Sequence, residues 1–187
     1  MCWFHLTRTF NHDDFRKGIL PLGQAIEYIW GELFRIFPAT KQYDRLQQLK
    51  KSSVGNGIYE MRIDNPQQWG PYAILVREAA FNTKEMGAWD YLKLPEIIDD
   101  ICKKYQDEYG VSIREDVSVA LKPCIVKFKS DYLDDDVIKA AIFYIYKKVH
   151  REKLSMDVHT FDARGKVIPR KDILKIDYLD KDFHFLL

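Results

Sequence analysis

The chain has 187 residues, 47% of them hydrophobic, with 11 Phe, 11 Tyr and 4 Trp. That is the length of one ordinary domain, and it is rich enough in apolar side chains to build a core without disulfides or metal. The 29 basic and 28 acidic residues leave a formal charge of +1. This balance excludes a disordered chain of high net charge and a uniformly basic nucleic-acid grip.

In chain order, Cys2 to Thr7 reads as a strand, with Trp3, His5 and Thr7 on one face and Cys2, Phe4 and Leu6 on the other. Asn11 or Asp13 caps a short helix ending near Gly18. A longer helix is predicted from Leu22 to Phe37, with Leu22, Ile26, Ile29, Trp30, Leu33 and Phe37 at helical spacing and Pro38 as its stop. A short helix from Lys41 to Lys51 follows, then a mobile loop at 50–57, Lys-Lys-Ser-Ser-Val-Gly-Asn-Gly. Ile58 to Ile63 and Tyr72 to Arg77 read as strands. The second is the stronger, because Ala73-Ile74-Leu75-Val76 is a continuous apolar run suited to a central position.

Leu94, Ile97, Ile98, Ile101, Cys102, Tyr105 and Tyr109 describe an amphipathic helix with Pro95 in its first turn and Gly110 as its stop. Ile113 to Leu121 fits helix or strand. Pro123 opens a strand through Phe128. Asp134-Asp135-Asp136 begins a helix to about His150, whose Val137, Ile138, Ala141, Ile142, Ile145 and Val149 line one side. Val158 to Phe161, a turn at 163–166 and Ile173 to Tyr178 complete the chain. Strands and helices mix without strict βαβ alternation, so the expected class is α+β: a single domain, 1–187, with a mixed sheet and three main helices packed on it.

Cys2, Cys102 and Cys124 form no metal-binding pair. The five histidines show no HxH, HExxH or HxxxH spacing, so no metal is expected. Walker A, GxGxxG and GxSxG motifs are absent. The segment Met-Cys-Trp-Phe-His-Leu-Thr-Arg lacks the pattern of a signal peptide, and no apolar run approaches the roughly 20 residues of a membrane span. A cytoplasmic protein without a membrane partner is therefore expected.

The charge is unevenly spread. Asp90 to Asp116 is acidic, whereas Lys139 to Lys153 and Arg164 to Lys175 are basic. The basic segments are solvated faces or a patch for RNA, DNA or an acidic partner. Glu96, Asp99 and Asp100, in one turn near a helix start, complement the helix dipole.

Chemistry concentrates on the first strand. His5 and Thr7 share a face, Arg8 follows, and Gly18-Ile19-Leu20-Pro21-Leu22 comes shortly after. A neutral imidazole offers a donor and an acceptor to a ribose diol, and Arg suits phosphate. Arg77, ending an apolar strand, would sit at the sheet edge and either converge with Arg8 on an anion or pair with Glu78, Glu96 or Asp99. A His-bearing strand, a short helix and a Gly-Ile/Leu turn together resemble the opening of ADP-ribosyltransferase-like folds, among them tRNA 2′-phosphotransferases and toxins that modify DNA bases. The resemblance implies NAD, or a nucleic-acid phosphate group, as ligand in a toxin or phage-defence setting. His5, Thr7 and Arg8 would hold it, Tyr59 or Tyr72 would stack on it, and Arg77 would assist with the anion. Glu78 and Glu96 are the candidate acids, although their spacing does not follow the family pattern. Two alternatives stand beside it: a non-catalytic interaction protein using its aromatic residues, such as an immunity or assembly subunit, and an RNA-binding or metal-independent RNA-cleaving module using Lys147, Lys148 and Arg151.

Overall fold

A computed structural model describes residues 1–10, 15–52, 57–83, 90–153, 160–180 and 182, with 57 and 58 described by their backbone alone. Its centre is a five-stranded sheet of β1 (Cys2–Thr9), β2 (Tyr72–Ile74), β3 (Lys122–Lys129), β4 (Thr160–Asp162) and β5 (Ile173–Tyr178), in the order β4-β2-β1-β3-β5. All four pairings are antiparallel, which narrows the mixed sheet expected from sequence. The helices are α1 (Leu22–Ile36), α2 (Lys41–Lys51), α3 (Gly57–Asp64), α4 (Glu96–Tyr109), α5 (Arg114–Ala120) and α6 (Asp135–His150). The molecule is a single α+β domain, as its element pattern predicts. No helix among the described residues is long and apolar enough to cross a membrane.

β1 is central, pairing with β3 along its whole length from Cys2 opposite Lys129 to Thr9 opposite Lys122. Strand alternation then sorts its side chains. Trp3 joins Cys124, Val126, Phe128 and Phe161 in one apolar cluster, while Leu6 joins Ile125, Leu92 and Leu179 in another. Both sheet faces are thus covered. On its other edge β1 meets the three-residue β2, in register with Phe4 opposite Ile74. Because β2 begins only at Tyr72, the end of β1 beyond it meets no strand on that side among the described residues.

The largest apolar cluster is built from helices. Trp30 and Leu33 of α1, Leu46 and Leu49 of α2, Tyr59 of α3, Ile101 and Tyr105 of α4 and Val117 of α5 pack together, each buried. Helical spacing explains α1, where Ile26, Trp30 and Leu33 recur on one stripe. The Leu22 N–H at its start is satisfied by the Trp69 carbonyl at 3.0 Å, since Pro21 offers no side-chain cap. Gly110 closes α4 in the left-handed conformation, with φ of 69°.

Three sequence expectations change. Ile58–Ile63 is helical, not a strand: Tyr59 and Ile63, four apart, both pack on the helical core. Tyr72–Arg77 leaves the sheet after Ile74, and Arg77–Phe81 forms a single 3₁₀ turn that buries the small Ala79 and Ala80. On α6 only Val137 is buried, so the apolar side predicted to pack on the sheet faces outward. The ambiguous 113–121 segment is a helix. Of the expected loop at 50–57, Lys50 and Lys51 end α2 and Gly57 opens α3, while 53–56 lie outside the described residues, as do 11–14 of the early helix and 158–159 of the strand before Phe161.

Candidate functional site

Where β1 outruns β2, the sheet edge, α1, α3 and the start of α4 enclose a cavity of about 760 Å³. Phe4 to Arg8 of β1, Tyr72 to Ile74 of β2, Leu22, Ala25 and Ile29 of α1, Met61 and Arg62 of α3, and Glu96 to Ile98 of α4 line it, with Trp69 and Tyr91 from the connections. The size falls within the range of small-molecule sites, as does the mixture of an apolar, aromatic wall with a few polar groups.

Trp69 is firmly seated. Its indole Nε1 donates to the Ile63 carbonyl at 2.8 Å, and its ring lies against Gly23 of α1, where an added Cβ would come within 2.3 Å of ring carbons. Only glycine at 23 leaves room for this wall.

His5 is half-buried, and its Nδ1 lies 2.7 Å from the Tyr72 carbonyl oxygen. A carbonyl can only accept, so this contact sets the tautomer: Nδ1 carries the proton, and Nε2 is the acceptor. Burial lowers the His5 pKa and outweighs the opposing effect of the Tyr72 carbonyl, so the ring is neutral at pH 7. The cavity wall therefore carries an imidazole acceptor beside the Thr7 hydroxyl and the Tyr72 ring.

A polar corner sits at the α3–α4 side. Glu96 accepts from Arg62 at 2.5 Å and from the Tyr91 hydroxyl at 2.8 Å, and Arg62 Nε lies 3.2 Å from Asp100. Burial, then the Glu96 charge, push the Tyr91 hydroxyl pKa up, and burial pushes the Asp100 carboxyl up against the pull of Arg62. Two carboxylates against one guanidinium leave this corner with no surplus of positive charge.

Of the residues picked from sequence, the cavity brings together His5, Thr7, Arg8 and Tyr72, and Glu96 joins them. Arg8 does not serve as imagined. Its Nε donates to Leu121 O at 3.1 Å, Nη1 to Leu92 O and to Lys93 O at 3.1 Å, and Nη2 to Ser118 O and Leu121 O, each at 2.6 Å. All five guanidinium N–H groups are engaged by backbone carbonyls, so none is left for phosphate. Arg77 does not converge with Arg8 on an anion. It pairs with Asp177 of β5 at 2.7 Å, and its charge also acts on Glu78. Tyr59 lies in the helical core, where its hydroxyl accepts from Trp30 Nε1 at 3.1 Å. Glu78 accepts from Tyr144 and Lys148 of α6, and those bonds hold its carboxyl below the usual range.

Trp69, Tyr91 and Arg62 line the cavity without having been singled out in the sequence. They come from segments with no shared spacing, and only the folded chain makes them neighbours. Among the described residues no group of three His, Cys, Asp or Glu side chains could hold a metal ion. Compared with protein-family models, with curated proteins and with solved structures, the chain matches none.

Proposed function

We propose that this protein binds a neutral, ring-bearing small molecule of nucleoside size in the cavity at the β1 edge, in a cytoplasmic setting. The observation that carries the reading is the His5 imidazole on the cavity wall, with its tautomer set by the Tyr72 carbonyl so that Nε2 accepts. Nε2 and the Thr7 hydroxyl suit the hydroxyl groups of a ribose, and Trp69, Tyr72, Tyr91 and Phe4 suit the faces of a planar ring.

This keeps the ribose half of the ADP-ribosyltransferase-like reading and alters the phosphate half. A pyrophosphate needs cations, but Arg8 is consumed by carbonyls, Arg77 by Asp177, and Arg62 faces two carboxylates. A whole NAD molecule is therefore the poorer ligand.

Calorimetric titration with adenosine, nicotinamide riboside and NAD tests this. At least one nucleoside should bind with a dissociation constant of about 10–100 μM and about tenfold more tightly than NAD, and His5→Ala should weaken it about fivefold to tenfold, the effect of one neutral hydrogen bond. Absence of heat with all three would refute the site. NAD binding more tightly than both nucleosides would instead restore a phosphate anchor.

A further inference from the structure

Glu96, on the cavity wall, is clamped through one oxygen only. Arg62 Nη1 at 2.5 Å and the Tyr91 hydroxyl at 2.8 Å both donate to its Oε2, and among the described residues no donor reaches Oε1. Arg62 is braced in turn, with its Nε 3.2 Å from the carboxyl of the buried Asp100. A carboxylate offers about four acceptor sites on its two oxygens. Arg62 and Tyr91 are therefore positioning residues that fix Oε2, while Oε1 keeps its acceptor capacity.

Tyr72 links this corner to the imidazole. Its carbonyl accepts from His5 Nδ1 at 2.7 Å, and its hydroxyl lies in the field of both Arg62 and Glu96. The cavity thus has two acceptor ends, His5 Nε2 and Glu96 Oε1, joined along an aromatic wall.

We propose that Glu96 Oε1 accepts from an amino group on the base of the bound nucleoside, so that the cavity selects adenine-type or cytosine-type rings. This rests on the nucleoside reading above, with the ribose at His5 and Thr7 and the base toward α4. Carboxylate side chains take base amino groups as donors. Two carboxylates beside one guanidinium favour an N–H at this corner and disfavour a carbonyl oxygen, whose lone pairs would face like charge. A ring with no N–H would shield Oε1 from water and leave it unpaired, which costs affinity.

Calorimetric titration of the full chain with two pairs of nucleosides tests this: adenosine against purine riboside, and cytidine against pyrimidin-2-one riboside. The members of each pair differ by the amino group alone. At least one amino nucleoside should bind about tenfold or more tightly than its partner, the effect of one hydrogen bond to a charged acceptor. Glu96→Gln should remove that advantage. Its amide oxygen takes the place of Oε2, where Arg62 and Tyr91 donate, and its NH2 then meets the base amino group donor to donor.

A Glu96 that only supported the fold would weaken both members of a pair alike in the glutamine variant and leave their ratio standing, and that result would overturn the proposal. The wild-type comparison decides even where Glu96→Gln does not fold. Equal affinities within both pairs, or nicotinamide riboside binding where adenosine and cytidine do not, would overturn the proposal and leave the nucleoside reading in place. No heat with any of these nucleosides would remove both.

Discussion

Arg8 and His5, three residues apart on one strand, show how different the work of two polar side chains can be. Arg8 ties the end of β1 to the carbonyls of Leu92, Lys93, Ser118 and Leu121, joining the sheet to the α5–β3 junction and to the segment before α4. Burial lowers its pKa from the usual value, yet five donated bonds suit it as a cation. Arg8→Ala would strand those carbonyls and should destabilise the fold by about 3 kcal/mol, and Arg8→Lys should recover less than half, because an ammonium cannot reproduce the planar fork. Urea denaturation measures both. An Arg8→Lys variant as stable as wild type would contradict the clamp. Strand alternation alone puts His5 beside Thr7, so their shared place on the cavity wall was legible in the sequence. The sequence could not reveal the fate of Arg8, since backbone carbonyls leave no side-chain signature and these lie 84 to 113 residues away in the chain.

At the scale of elements, the long amphipathic helices and the strands β1, β3 and β5 were legible because each has an unbroken period and a clear stop. The short pieces were not. Ile58-Tyr59-Glu60-Met61-Arg62-Ile63 fits either period, and packing decides: as a helix it sends Tyr59 and Ile63 to the core and leaves Met61 and Arg62 on the cavity. The cavity itself depends on a contact between elements that no local pattern announces, the bare backbone of Gly23 beneath the Trp69 ring. Gly23→Ala isolates that contact. A Cβ there must displace the indole, which costs about 1–3 kcal/mol from overpacking, while the helix regains up to about 1 kcal/mol of propensity. Net stability should therefore fall only modestly, whereas the Trp fluorescence should shift and nucleoside affinity should drop at least about tenfold. Unchanged affinity would show that Trp69 is not a wall of the binding site.

For the molecule as a whole, the formal charge of +1 conceals a definite arrangement. The acidic middle is largely paired internally: Asp99 with Lys103 at 2.7 Å and Arg114 at 2.5 Å, and Glu96 and Asp100 with Arg62. On α6 the acidic start and the basic end are also paired in part, Asp136 with Lys139 and Lys148 with Glu78, each at 2.9 Å, beside an exposed apolar stripe. The sequence showed that stripe as clearly as it showed α1, but periodicity says only that a face is apolar, not whether the fold buries it. In the same way it marked one end of the cavity, at His5, Thr7 and Tyr72, and left unmarked the Trp69, Tyr91 and Arg62 that the fold brings from elsewhere.

Ligand binding in the cavity turns on the neutral His5 imidazole receiving a ligand donor at Nε2. Long-range ¹H–¹⁵N correlation of the histidine ring nitrogens, recorded across pH and with added nucleoside, tests it most directly. At pH 7 the spectrum should show a proton on Nδ1 and none on Nε2. Because burial lowers the pKa, protonation should begin only below the ordinary histidine value, and the His5 contribution to stability and binding should be lost as pH falls through that lowered value. Nucleoside should move the Nε2 resonance at neutral pH in the wild-type protein. A proton found on Nε2, or a resonance that saturating nucleoside leaves in place, would show that His5 does not receive the ligand.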